Sequence, residues 1–332
     1  MKKQIIAAAV AASVSAVALA DVAITGQMKV NYTHTDYDSS AVNDSDIFKR
    51  EGDIYVKGQS GDTGVVMNFS VADHTTADST KNGTLTVEDT YMTTKVGDVA
   101  LKVGQWDNGN NEMRASTRAA GKFEASTTVA GIGVKYENVN GGDDAVSLSA
   151  SMGPVAASFK QKNAGEDYTI TGNFQGVDAK YAVIGSDSAN SDKSYTEVKT
   201  TVAGVSVKYG KAEADSSACL NGDTWLGDYE DSGYSCTHSL YDLESKTKVW
   251  SNLNGQDITG YELATDLAGN RVTYRNVTVD GVTGGDTSHN KVIVTRPLAS
   301  GATFELTYTD VQDDAATITD YNSLDLELAV KF

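Results

Sequence analysis

Seven lysines, Lys29, Lys57, Lys102, Lys135, Lys160, Lys180 and Lys208, stand near the middle of stretches in which apolar and polar residues alternate. A row of ammonium groups on one wall steers ions and hydrophilic solutes by its field. No catalytic partner accompanies them. The four histidines, His34, His74, His238 and His289, read as solitary loop residues, whereas a Ser-His nucleophile needs both side chains within hydrogen-bond reach. No Cys or His has zinc spacing. The acidic pairs Asp143-Asp144 and Asp313-Asp314 lack the EF-hand pattern. The sequence predicts no enzyme, no metal site and no cofactor.

The elements that carry these lysines have a period of two. Ile24, Met28, Val30 and Tyr32 alternate with Thr25, Gln27, Lys29 and Asn31, and Val65, Met67, Phe69 and Val71 repeat the pattern. So do Ile132, Val134 and Tyr136, then Val177, Ala179, Tyr181 and Val183, and finally Leu324, Leu326, Leu328, Val330 and Phe332. Such alternation is that of strands whose two faces meet different surroundings. Turn residues separate the runs at Gly61-Asp62, Gly97-Asp98, Ala130-Gly131, Gly153-Pro154, Gln175-Gly176, Ala203-Gly204 and Ala299-Ser300-Gly301. Longer polar stretches lie between these hairpins. Short turns at one end and long loops at the other describe an antiparallel meander, and an even strand number closes it.

Seven hairpins and a strand at each terminus predict sixteen strands. An eighth turn at Leu267-Ala268-Gly269-Asn270 makes eighteen the alternative. Its flanking runs are weaker and more charged, so sixteen is preferred and residues 212–290 are taken as one long loop.

The 332 residues carry 27 basic and 45 acidic side chains, a net charge of −18. Such acidity excludes nucleic acid as the main partner, which would select basic patches. Met1-Lys2-Lys3, the apolar run to Leu19 and Ala18-Leu19-Ala20 form a secretory signal over residues 1–20, leaving 21–332 as the mature domain. Its removal takes away Lys2 and Lys3, so the net charge becomes 25 minus 45, or −20. The remainder has no apolar run long enough for a spanning helix, so an exported chain of this pattern either dissolves or crosses a membrane as strands. Cys219 and Cys236, placed in an oxidising compartment, are expected to form a disulfide that staples the long loop.

Period two alone does not say which face meets lipid. The lysines favour a wet interior, and tyrosines near strand ends (Tyr32, Tyr55, Tyr91, Tyr136, Tyr168, Tyr181, Tyr195, Tyr209 and Tyr308) favour interfacial girdles. With these features, the first strand Val22-Ala23-Ile24-Thr25-Gly26-Gln27, the turn at Gly61 and the terminal Phe332, the whole chain resembles the general diffusion porins of Gram-negative outer membranes. The resemblance implies an all-β transmembrane antiparallel barrel with short periplasmic turns and long extracellular loops. It also implies outer-membrane lipid, a homotrimer, passive diffusion of ions and small hydrophilic solutes, and Phe332 as the signal read by the barrel-assembly machinery. By order, the third long loop is then residues 106–120, folded inward as a constriction. Its candidate eyelet residues are Asp107, Glu112, Arg114 and Arg118, facing the lysine wall. The family's proline-containing acidic segment is absent from this loop. Acidic residues at the narrowest point predict a weak preference for cations. A substrate-selective outer-membrane channel of the same build is one alternative, and a secreted soluble β-rich surface or adhesion protein is the alternative outside the membrane.

Overall fold

The computed structural model describes residues 21–38, 43–73, 84–107, 113, 118–140, 142, 144–215, 218, 240–241, 248–250, 257–280, 286–313 and 320–332. The strands are β1 (Asp21–Tyr37), β2 (Ser45–Ser60), β3 (Thr63–Asp73), β4 (Thr84–Val96), β5 (Val99–Asp107), β6 (Arg118–Val129) and β7 (Ile132–Val139). There follow β8 (Ala145–Met152), β9 (Val155–Lys162), β10 (Gly165–Phe174), β11 (Val177–Ile184), β12 (Lys193–Val202) and β13 (Val205–Ala214). The last are β14 (Leu240–Tyr241), β15 (Lys248–Trp250), β16 (Asp257–Leu267), β17 (Asn270–Asp280), β18 (Thr287–Pro297), β19 (Ala302–Asp313) and β20 (Tyr321–Lys331). The two-stranded ladder of β14 and β15 stands apart from the main sheet.

Among the described residues, eighteen strands form one sheet in which each pairs antiparallel with its chain neighbours, and β13 passes directly to β16. β20 returns to pair with β1, so the sheet has no edge. The expectation of sixteen strands is therefore corrected to eighteen. The segment 212–290 is not one loop: it contributes β16, β17 and the ends of β13 and β18 to the wall. The charges that made this pair look loop-like, Glu262, Asp266, Arg271 and Arg275, fall on one face in register with Lys208 and Lys291. His34 and His289, read as loop residues, lie in β1 and β18.

Turn chemistry explains the short end. Ala130-Gly131, Gln175-Gly176, Ala203-Gly204 and Ala268-Gly269 have positive φ at both positions, the type I′ geometry whose twist matches flanking strands. Gly61, Gly97 and Gly153 take positive φ before Asp62, Asp98 and Pro154, as a type II′ turn requires.

Exposure separates the faces. Side chains on the concave side converge and bury one another, while those outside splay apart. Ile24, Leu85 and Val129 are 60% exposed or more, whereas Asp53, Asn68, Ser70, Thr307 and Thr309 are under 9%. The apolar face is outside and the polar face lines the bore.

The seam between first and last strands is tied by main-chain bonds. Gly26 N donates to Phe332 O (2.7 Å) and Phe332 N donates to Gly26 O (3.0 Å). The terminal ring lies over Gly26.

Candidate functional site

The register brings Lys29, Lys57, Lys102, Lys135, Lys160, Lys180 and Lys208 to the inner face. Most are held by acids or rings on the same wall. Lys135 lies 3.5 Å from Glu124 and 3.3 Å from Glu137, which also takes Lys160 at 2.6 Å. Lys29 approaches Glu327 at 4.0 Å. Lys208 lies 3.4 Å from Glu262, whose other oxygen accepts from Arg275 Nε (3.1 Å) and Nη2 (2.9 Å). Lys180 Nζ stands 4.9 Å from the centre of the Tyr195 ring. Tyr55, Tyr91 and Tyr195 thus belong to the bore rather than to a girdle, whereas Tyr32, Tyr136, Tyr168, Tyr181, Tyr209 and Tyr308 face outward.

Two acidic residues that the alternation did not single out join the inner wall through a β-bulge. Between Met67 and Phe69 the β3–β4 register slips by one residue, so Glu88 and Asp89 together oppose the inward Asn68. Asn68 Nδ2 donates to Glu88 Oε2 (3.5 Å), and Asp107 N donates to Asp89 Oδ1 (3.1 Å). A bulge re-aims side chains in this way. Its trace in the sequence is a change of parity, since Leu85 and Val87 are outward at odd positions and Met92 and Val96 at even ones.

Beside this bulge, Lys102 Nζ sits 3.9 Å from the Tyr91 ring centre and 4.3 Å from that of Trp106, and Lys122 Nζ donates to Trp106 O (2.6 Å). A second bulge follows Gly104, where Gln105 opposes Ala120 and Gly121 of β6, and Gly104 itself lies close against β4. A Cβ there would meet Thr90 O at 2.2 Å, and its φ is +139°.

With Glu51 and Asp53, the acids of β2–β4 face, half the ring away, the lysines of β11–β13: Lys180, Lys193, Lys199 and Lys208. β2 also brings Lys49 and Lys57 to the bore, and β11 and β12 bring Asp178 and Glu197, so each wall carries both signs, with an acidic excess on the first and a basic excess on the second.

The expected constriction loop is shorter than 106–120. β5 continues through Asp107 and β6 starts at Arg118, where the two residues pair. Asp107 therefore sits on the wall beside Asp89. Glu112, Arg114, Cys219, Cys236 and the signal segment 1–20 lie outside the described residues. Of the connection, Met113 is described, and it is 5% exposed. It packs against Ala182, Tyr195, Ala212, Ile258, Val277 and Val279 on the far wall, and Lys193 Nζ donates to its carbonyl oxygen at 2.8 Å. Six residues from Asp107 reach at most about 20 Å, which bounds the gap that Met113 closes between the two walls.

On β1 the apolar outer run from Val22 to Tyr32 matches the roughly 9–11 residues of a spanning strand. His34, Asp36 and Asp46 lie beyond it. Asp46 Oδ1 accepts from Tyr32 Oη (2.6 Å) and lies 2.8 Å from His34 Nδ1, while Nε2 is 3.1 Å from Asp36 Oδ1. The bond to Asp46 holds the imidazole above its ordinary pKa, and the bonds from Tyr32 and then His34 hold Asp46 below the usual carboxylate range.

No family model and no curated protein matches the sequence. Solved structures do match the fold. Acinetobacter baumannii OccAB4 superposes with a TM-score of 0.62 at 10% identity over 94% of this chain and 98% of that one. Pseudomonas aeruginosa OccK9 (OpdG) gives 0.66 at 11% over 94% and 98%, and a doubly substituted form of OccD1 (OprD) gives 0.61 at 10% over 94% and 95%. The fold is shared with these proteins. The likeness covers nearly the full length of both chains.

Proposed function

We propose that this chain is a solute-selective channel of the Gram-negative outer membrane, passing small hydrophilic solutes by diffusion through a charged, water-filled bore. The observation that carries the reading is the closed eighteen-stranded barrel with its apolar face outward and its charged face inward. In a bilayer no unsatisfied strand edge survives, and a barrel of this strand number leaves an aqueous lumen. The fold neighbours, Occ and Opd outer-membrane porins, support a selective channel over the general diffusion class that the sequence resembles. They also support a channel rather than an enzyme.

Selection rests on the charge of two opposed walls of the bore. The acidic excess on β2–β4 and the basic excess on β11–β13 orient solutes carrying both signs of charge, and the field is least screened where the bore is narrowest. Asp107, Glu88 and Asp89 near the root of the connection favour a weak preference for cations among small ions. Export through a cleaved signal, trimer assembly and recognition of Phe332 by the assembly machinery belong to the same reading.

The test is current across a planar bilayer holding purified mature protein, in a salt gradient and then with candidate solutes. Discrete steps with saturable block by one solute class support selectivity. Steps without saturable block by any solute support general diffusion. A folded protein that is soluble without detergent and gives no steps overturns the channel in favour of a surface protein.

A further inference from the structure

We propose that the β3–β4 bulge builds a site for a hard divalent cation, Ca²⁺, on the wall of the bore, with side-chain oxygens of Asn68, Glu88 and Asp89 as its protein ligands. The site stands on the geometry of the wall, and its effect on ion flow rests on the channel reading above.

Two observations meet at this bulge. The first is an orphaned acceptor. Asn68 is 6% exposed, and among the described residues its Oδ1 is the one buried side-chain polar atom without a hydrogen-bond partner. Buried oxygens of this kind are ordinarily met by protein, water or an ion. The amide nitrogen reaches Glu88 Oε2 only at 3.5 Å, the limit of a hydrogen bond, so the amide is weakly held and can turn its oxygen to the same carboxylate. The second observation is paired charge. The one-residue slip between Met67 and Phe69 turns the consecutive Glu88 and Asp89 to the bore together. Adjacent carboxylates repel unless a cation lies between them. Lys102 and Lys122, whose charges reach Asp89, are committed to the Tyr91 and Trp106 rings and to Trp106 O.

The ligands are held from behind. Asp107 N donates to Asp89 Oδ1 (3.1 Å), and Gln105 Nε2 donates to Glu88 O (3.1 Å). Such outer bonds fix the direction of a ligating carboxylate. The donor set then selects the ion. Oxygen donors alone suit Ca²⁺ or Mg²⁺ rather than a transition metal. Among the described residues no three Asp, Glu, His or Cys side chains gather closely enough to hold an ion by themselves, so the Asn68 amide and water of the lumen complete the shell. Two oxygens at right angles on one ion stand about 3.4 Å apart for Ca²⁺ and about 2.9 Å for Mg²⁺. The 3.5 Å between the Asn68 amide and Glu88 Oε2 fits the larger ion. Occupancy cancels part of the acidic excess on β2–β4 and so lowers the cation preference of the bore.

The experiment is a Ca²⁺ titration of detergent-folded mature protein, read as displacement of Tb³⁺ whose luminescence is excited through neighbouring tyrosine and tryptophan, with reversal potentials in planar bilayers beside it. Half-displacement is expected at about 0.1–1 mM Ca²⁺, the range of weak extracellular sites, and at higher Mg²⁺. The wild-type reversal potential should move toward anions over the same Ca²⁺ range. Glu88→Gln should weaken Ca²⁺ binding by about ten-fold or more. Asn68→Asp, which keeps the shape and adds charge, should tighten it. Glu305→Gln removes a bore carboxylate on β19, away from the bulge, and should leave Ca²⁺ binding unchanged. Should Glu88→Gln fail to fold, judged by heat-modifiable mobility, Asp89→Asn takes its place with the same expected loss. Equal Ca²⁺ affinity in wild type, Glu88→Gln and Asn68→Asp overturns the site, as does a folded wild type without saturable binding. Half-displacement at equal Mg²⁺ and Ca²⁺ overturns the choice of ion. Absence of steps from wild type overturns the channel reading, while the titration in detergent still decides the site.

Discussion

Replacing Gly26 by alanine should weaken closure of the barrel. A Cβ at this position would stand 2.7 Å from Asp53 O and 2.5 and 2.8 Å from Cζ and Cε2 of Phe332, where carbon contacts normally settle at about 3.5–4.0 Å. The two obstacles differ in kind. The Phe332 ring is the end of the chain, 67% exposed, and can swing aside. The Asp53 carbonyl cannot, because it sits in the β1–β2 ladder, where Gln27 pairs with Asp53 and Gly26 with Ile54. Overpacking of this sort costs about 1–3 kcal/mol. In a Phe332→Ala background the ring's share disappears and the Asp53 share remains, so a double-mutant cycle should return a coupling of about 1 kcal/mol. Urea unfolding of detergent-folded protein, followed by tryptophan fluorescence, measures all four corners. A Gly26→Ala variant within about 0.5 kcal/mol of wild type in both backgrounds would refute the steric argument and with it the role of the ring at the seam.

Glu262→Gln leaves Arg275 and Lys208 without their shared carboxylate, so the reversal potential in a salt gradient should move toward anions, at a stability cost of about 1–3 kcal/mol; an unmoved potential would place this cluster away from the ion path. His34, whose folded pKa is raised, contributes stability that is fully present below the unfolded pKa of about 6.5 and is lost as pH rises through the folded value. Asp46, depressed, contributes stability that is present above its unfolded pKa and is lost as pH falls through the folded one. An NMR titration should find His34 above the ordinary histidine value in wild type and lower in Asp46→Asn, where Asp36 still holds Nε2; equal values in both would sink the assignment. Ala203 holds a left-handed conformation (φ 50°), so Ala203→Asn, a residue that tolerates it, should stabilise the hairpin by about 0.5–1 kcal/mol in the same urea assay. A loss of stability would show that the turn is not strained.

Much of the wall was legible in the chain itself. Each alternating run became a strand, and the X-Gly and Gly-Asp pairs became the short turns, because both depend on neighbours within a few residues. β16 and β17 look loop-like in the sequence for the same local reason: charge interrupts apolar alternation, yet Glu262 and Arg275 point into water and pair across strands. Glu88 and Asp89 escaped because strict alternation sends consecutive residues to opposite faces, and only the bulge against Asn68 brings both inside.

By itself the sequence determined the class of structure, since period two, turn chemistry and the inward lysines are properties of short stretches under simple steric rules. The strand count, the unequal charge of opposite walls, Phe332 over Gly26 and Met113 on the far wall were decided by tertiary structure. Each depends on which strands become neighbours or opposites once the sheet closes, and closure is a long-range register that no local pattern encodes.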